Sequence, residues 1–181
     1  MSGKLCTIGI VCGLLAGCSN NGLTLGRVSG KVTYKGEPVR YGFVTFHPDA
    51  EKGAIGPPAM SPITDAGTYL LTTQEAGDGA VVGTHHVAII ALDPKPVAGA
   101  DTPEPEEDPK AFMIAKGQAP KPKPKNLGGP TFTSRNGKLY RLLGSEKLKT
   151  PDTSGLTVQV QRGTNTLDFN IAEDGMADVA K

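Results

Sequence analysis

The chain has 181 residues, which is room for one domain with an appendage, and its 24 glycines and 15 prolines interrupt it too often for a helical bundle. The 19 Lys and Arg residues nearly balance the 18 Asp and Glu residues, so no bulk charge points to nucleic acid as a partner. The three cysteines are an odd number, which argues against a framework of paired disulfides. The composition therefore favours an all-β chain or a partly disordered one.

The first residues have the layout of a secretory signal. Lys4 gives a basic start, and the apolar run Leu5 to Leu15 is too short for the roughly 20 residues that span a bilayer. Small residues then lead up to Cys18, after which the chain becomes polar. We predict that residues 1–17 are a signal peptide and that cleavage falls between Gly17 and Cys18.

The quartet Leu15-Ala16-Gly17-Cys18 resembles the lipobox of bacterial lipoproteins. The resemblance implies that the Cys18 thiol receives a diacylglycerol and that the new amino terminus is acylated, with palmitate-type chains forming a stable membrane anchor. Ser19 follows the cysteine instead of Asp, which by the same resemblance favours the outer membrane. Cys6 and Cys12 leave with the signal, so we expect the mature chain to have one cysteine, no disulfide and no thiolate nucleophile.

After a lipidated tether at 18–27, seven short segments alternate with a period of two residues, as half-buried strands do. The fifth of them is the longest and most apolar, and we expect it to be a central strand. Seven short strands with turn signals between them are typical of a β-sandwich. The predicted strands are Val28–Tyr34, Tyr41–Pro48, Met60–Thr64, Thr68–Thr73, Thr84–Leu92, Leu156–Val160 and Leu167–Ile171.

The alternation also predicts which side chains form the core. Val44 and Phe46 share one face of their strand, and Tyr69 and Leu71 share one face of theirs. The last two strands are expected to flank a turn, and the chain is expected to close with a tail. That turn is Gln161–Asn165, and the tail is 173–181.

Residues 93–130 differ in kind, because they hold nine of the fifteen prolines. An acidic half, Asp101–Asp108, precedes a basic half, Lys116–Lys125, and only Ala111–Ala115 between them is apolar. Proline at this density removes ladder donors, so we expect a long, mostly disordered insertion between two strands. Two interpretations remain open: an arm that binds anionic surfaces, or a solvated segment whose charges neutralise each other.

Turn glycines and alternating apolar positions recur together in Val28-Ser29-Gly30-Lys31-Val32, Gly36-Glu37-Pro38-Val39, Val44-Thr45-Phe46-His47-Pro48 and Thr64-Asp65-Ala66-Gly67-Thr68-Tyr69. These runs resemble the carboxypeptidase regulatory-like domain that small bacterial lipoproteins carry. The resemblance assigns the domain to 28–92 and 131–172, and it implies a seven-stranded transthyretin-like (prealbumin-type) sandwich. In this family the domain is non-catalytic, so no catalytic residue is expected here.

The three histidines, His47, His85 and His86, are the candidates for metal or acid–base chemistry. His85 and His86 are neighbours on one predicted strand and point to opposite faces, so they cannot share an ion. His85 shares its face with Val87 and is expected to be a hydrogen-bonded core residue, with His86 in solvent. No histidine has a glutamate three residues later, as a zinc carboxypeptidase would, and we expect no metal and no cofactor.

The sequence lacks the motifs of two other classes of protein, a hydrolase and a calcium-binding protein. A hydroxyisourate hydrolase, which resembles transthyretin, would end in Tyr-Arg-Gly-Ser, whereas Tyr140-Arg141 is internal and Leu142 follows it. A calcium loop would place its carboxylates at positions one, three and five. The sequence offers four loop carboxylates as calcium ligands, but they do not have this spacing: Asp49, Glu51, Glu75 and Asp78.

Carbohydrate binding is the alternative function, because sandwiches of this type support sugar-binding modules. Sugars stack on exposed aromatic rings, but the chain has no Trp, and Phe46, Tyr69 and Phe169 fall on predicted core faces. The aromatics left for exposure show no platform spacing; they are Tyr34, Tyr41, Phe112, Phe132 and Tyr140. The sequence therefore predicts a lipid-anchored, non-enzymatic module of the cell envelope, whose partners are the membrane and envelope proteins or glycans.

Overall fold

The computed structural model describes residues 22–97, 129–134 and 137–180. These residues form two β-sheets that pack as a sandwich, which confirms the predicted all-β fold. The signal peptide, Cys18 and residues 98–128 of the insertion lie outside the described residues. Within the described part of the chain, no helix is long and apolar enough to cross a bilayer.

The described chain contains thirteen strand segments, where the sequence predicts seven. Short 3₁₀ helices cover Ala50–Lys52 and Glu146–Lys149, and the one described α-helix, α1, covers Pro151–Ser154. The strands are β1 (Leu25–Tyr34), β2 (Glu37–Pro38), β3 (Tyr41–Pro48), β4 (Ala59–Pro62), β5 (Thr68–Leu70), β6 (Ala80–Val81), β7 (Gly83–Pro96), β8 (Thr131–Thr133), β9 (Leu139–Leu142), β10 (Thr157–Val160), β11 (Gly163–Thr166), β12 (Asp168–Ile171) and β13 (Ala177–Ala180).

The first sheet is built around β1. Along one edge β1 pairs in parallel with β11 and then with β12, and β13 extends the sheet beyond β12. Along its other edge it pairs with β6, β5 and β2 in turn, all antiparallel. Gly30 stands where β11 gives way to β12, and a Cβ there would lie 2.0 Å from the Leu167 carbonyl oxygen. This position therefore requires glycine, because the backbone of the crossing strand occupies the place of a side chain.

The second sheet has the order β4–β3–β7–β9–β8, with β10 beside the first part of β7. β3 and β7 pair from Tyr41 opposite Leu92 to Pro48 opposite His85, the longest ladder in the described chain. β10 flanks the start of β7, and β9 flanks its end after a bulge between Leu92 and Pro96. The long apolar segment is thus a central strand, as predicted.

The core lies between the sheets and contains the predicted side chains. Three aromatic residues, Phe46, Tyr69 and Phe169, meet at its centre with ring centroids 6.1–6.5 Å apart. The Tyr69 hydroxyl donates a hydrogen bond to the Leu167 carbonyl oxygen, which satisfies the polar atom of a buried ring. Apolar residues with at most 1% exposure surround them: Val28, Val32, Val39, Val44, Leu71, Val87, Ile89, Leu148, Val160 and Ile171.

The boundary predicted for the insertion is wrong at its start. β7 continues through Asp93–Pro96, although two of these four residues are prolines. The β3 partner ends at the Tyr41–Leu92 pair, so beyond Leu92 one edge of β7 has no neighbour that needs its N–H groups. Proline is tolerated in such an edge.

Two segments predicted to be irregular are strands. The expected turn at Gln161–Asn165 overlaps β11, because β10 belongs to the second sheet and the chain crosses to the first sheet before it pairs with β1. The Asn165 side chain holds this crossing together by bonding both the N–H and the carbonyl of Gln161. The expected tail, 173–181, contains β13, whose backbone pairs with β12.

Candidate functional site

The predicted lipid-attachment residue, Cys18, and the preceding Gly17 lie outside the described residues, but the chain just after them is informative. Leu23 packs against Gly56, where a Cβ would lie 3.2 Å from Leu23 Cδ2. The Val82 N–H donates to the Thr24 carbonyl at 2.9 Å. The predicted tether, 18–27, is therefore too long: β1 begins at Leu25, and the chain already contacts the domain at Leu23.

This first contact defines what we call the lower end of the sandwich: Leu23, the loop Gly53–Pro58, Val81 and Arg162. Leu25 pairs with Val81, and Gly163, the neighbour of Arg162, pairs with Gly26. The opposite, upper end is where β1 ends at Tyr34 and β7 ends at Pro96.

His85 lies inside the sandwich near the lower end and has no exposed surface. Its Nε2 donates to the Val81 carbonyl oxygen at 2.6 Å, and its ring centroid lies 5.8 Å from that of Phe46. Its Nδ1 is buried without a hydrogen-bond partner. Burial lowers the pKa of His85, and the nearby His47 and His86 lower the pKa further. The predicted role, a packed and hydrogen-bonded core histidine, is confirmed.

His86 and His47 lie on the opposite face of the same strand pair, directly across from each other in the β3–β7 register. His86 is 39% exposed, as predicted, and its Nε2 lies 3.3 Å from Asp49 Oδ2. Asp49 is buried and caps the 3₁₀ helix by accepting from the Lys52 N–H, while Lys52 Nζ lies 3.2 Å from the same carboxylate. Burial acts to raise the pKa of Asp49, but its contacts with Lys52 outweigh this and hold the pKa below its usual value.

Asp49 is therefore a structural carboxylate that fixes the loop after β3. Within the described ranges, no group of three or more His, Cys, Asp or Glu side chains is arranged to hold a metal ion. Asp78, another candidate calcium ligand, accepts from the backbone N–H groups of Thr73, Gln74 and Glu75. Burial acts to raise the pKa of Asp78, but these bonds outweigh it and lower the pKa, so the carboxylate is occupied in closing its own loop.

The second sheet has an outer face, which points away from the first sheet and bears alternate residues of β3 and β7. On this face Tyr41 and Tyr140 contact each other with ring centroids 5.1 Å apart. Both rings belong to a small apolar cluster outside the main core, whose members are Tyr41, Ile90, Leu92, Phe132, Tyr140 and Leu142. Burial raises the pKa of Tyr41, and the neighbouring Tyr140 raises it further.

This outer-face cluster was not predicted from the sequence. No spacing indicates that two aromatic residues lie together, but β8 pairs Phe132 with Tyr140, and β9 joins the end of β7. Tyr140, which the sequence left among the aromatics that could be exposed, is only 9% exposed. The contact depends on pairing across the insertion, which local periodicity does not report.

Comparison with protein-family models, curated proteins and solved structures finds no match for this chain.

Proposed function

We propose that this chain is a lipid-anchored, non-enzymatic β-sandwich module of the cell envelope, which serves a structural or protein-binding role outside the cytoplasm. The observation that carries the proposal is the quartet Leu15-Ala16-Gly17-Cys18 at the end of a short apolar run. The sandwich supports it, because Leu23, only five residues after Cys18, already packs against the domain. An anchor at Cys18 would therefore hold this domain directly at a membrane.

We also propose that the sandwich is a carboxypeptidase regulatory-like, transthyretin-like domain. The turn in the run Thr64–Tyr69 supports this, because the Thr64 N–H donates to the Thr68 carbonyl and Gly67 takes a φ of 78°. A glycine is favoured there because residues with a Cβ are strained at positive φ. This glycine is one of those on which the resemblance rests.

The anchor is tested by changing Cys18→Ser in the full chain and growing cells with labelled palmitate. We expect the wild-type protein to take up label and to sediment with membranes, and the variant to take up none, because the acyl chains need the thiol or the processed terminus. Uptake of label is the deciding measurement, since an uncleaved signal would hold the variant at the membrane without lipid. Ser19→Ala is the control and should be labelled like the wild type. Equal labelling of the Cys18→Ser variant would overturn the anchor.

A second function, carbohydrate binding, is favoured by one observation: Tyr41 and Phe132 are half-buried on the outer face beside Tyr140. Partly exposed rings in one place can stack on the apolar faces of sugars. We expect the wild-type chain to bind at least one envelope glycan on an array and Tyr41→Ala to lose at least tenfold in affinity. Tyr34→Ala, which removes a half-buried ring of the other sheet, is the control. No bound glycan, or equal loss in the control, would exclude this site.

A further inference from the structure

The lower end of the sandwich has an exposed apolar loop, Gly53–Pro58. Ile55 is 73% exposed, the highest value among the exposed large hydrophobic residues described. Pro57 and Pro58 are also exposed, and no charged residue occurs from Gly53 to Met60. Exposed apolar residues grouped in this way mark a contact surface more often than a single exposed side chain does.

The loop is held in a fixed position. Ala54, at its base, is 1% exposed, and its N–H donates to the Asp49 carbonyl at 3.0 Å. Gly56 packs against Leu23 and Val81, so the loop touches the segment through which the chain enters the domain. Ile55 is thus presented outward from the place where the anchored chain arrives.

Charged side chains of both signs lie at the same end as the loop. Lys52, Arg27 and Arg162 are exposed at this end of the sandwich. Four acidic residues lie at this end too, since β5 runs antiparallel to β1 and its following loop returns to the start of β1. Glu51 and Glu75 are exposed, Asp78 is half-buried, and Asp49 is buried against Lys52. Because these charges nearly cancel, the exposed apolar tip is the feature that suits this end to a lipid–water interface.

Chain length places this end at the membrane. Only residues 19–21 separate Cys18 from Gly22, so the anchored residue and the domain are at most about 14 Å apart. The polar layer on each side of a bilayer is roughly 5–7 Å thick. A lipid on Cys18 therefore leaves the lower end within reach of the headgroups.

We propose that the loop Gly53–Pro58 inserts Ile55 into the headgroup layer of the membrane that carries the anchor. The loop and the lipid then make two contacts with one surface, which fixes the orientation of the sandwich. The upper end, with the start of the insertion at Pro96, faces away from the membrane. This inference rests on the proposed lipid anchor.

The chain has no tryptophan, so a single introduced tryptophan reports its own surroundings. The experiment uses the acylated full chain with Ile55→Trp, reconstituted in phosphatidylglycerol vesicles that contain brominated lipid. We expect the emission to shift to shorter wavelength and to be quenched by the bromine. Met176→Trp is the matched control: it is exposed at the upper end, next to the strand residue that pairs with Ile171, and should remain unshifted and unquenched.

The outcomes separate this inference from the proposal that it rests on. If mass spectrometry finds no acyl chain on Cys18 of the wild type, the anchor is wrong and the inference falls with it. If the protein is acylated and bound to vesicles but the emission of Ile55→Trp matches that of Met176→Trp, the anchor stands and the loop contact is wrong.

Discussion

Phe46→Ala is expected to lower the free energy of unfolding by about 3–5 kcal/mol, a large part of the stability of a small domain. Phe46 has no exposed surface and its ring lies among those of Tyr69, His85 and Phe169. Truncation removes apolar contacts with three rings at once. It also leaves a cavity between the two sheets, which cannot collapse fully because the rest of the core holds the sheets apart. Urea denaturation followed by circular dichroism measures the loss.

The same strand provides the control. Phe43 lies three residues earlier in β3 and therefore on the outer face, where it is half-buried. Phe43→Ala removes the same atoms from a position that water already reaches, so we expect less than half the loss seen for Phe46→Ala. If the two variants lose equal stability, the assignment of inner and outer faces in this sheet is wrong.

Local periodicity predicted the strands that have one buried face. β3 begins and ends at the predicted residues, and β7 begins one residue early, because apolar and half-exposed residues alternate along both. The same alternation correctly placed His85 in the core and His86 at the surface. These predictions succeeded because a strand's two faces are determined within the strand itself.

Two of the strands that were missed, β11 and β13, are placed by their backbone pairing with another strand. β11 is polar throughout and becomes a strand because its backbone pairs with the first half of β1. β13 has three exposed residues out of four and is held by the ladder to β12. Such segments have no apolar face that a sequence pattern could reveal. Their positions are determined by backbone hydrogen bonds and not by the burial of side chains.

The candidate sites divide in the same way. The Tyr41–Tyr140 contact and the packing of Gly56 against Leu23 join segments that the sequence separates by long distances. The lipobox-like quartet is contiguous and was found without any structure. The membrane contact proposed for the lower end needs both kinds of information, since the quartet gives the proposed site of the lipid and the fold gives the position of the loop.

Acidification from pH 7 to 5 is expected to destabilise the domain through His85. Burial lowers the pKa of His85 in the folded protein below the value of about 6.5 that an unfolded chain retains. The unfolded state therefore binds the proton first. Stability is fully present above about pH 6.5, falls as the pH drops below it, and becomes constant again below the folded pKa.

The neighbouring charged groups do not offset this effect. His47 and His86 lie on the other face of the β3–β7 strand pair, and both lower the pKa of His85. Asp49, which Lys52 holds below its usual pKa, contributes a separate loss of stability that begins only near pH 4. Asp49 is engaged by Lys52 and His86, and the Nδ1 atom of His85 that would take the proton has no acceptor.

Urea denaturation across this pH range tests the assignment with two variants. His85→Gln keeps an N–H that can donate to the Val81 carbonyl but cannot titrate, so its stability should be nearly independent of pH between 7 and 5. His86→Gln removes the exposed neighbour and should retain the loss seen in the wild type. A His85→Gln variant that loses as much stability as the wild type would show that another group titrates. The sandwich would then tolerate a charged His85, whose buried Nδ1 has no hydrogen-bond acceptor in the neutral state.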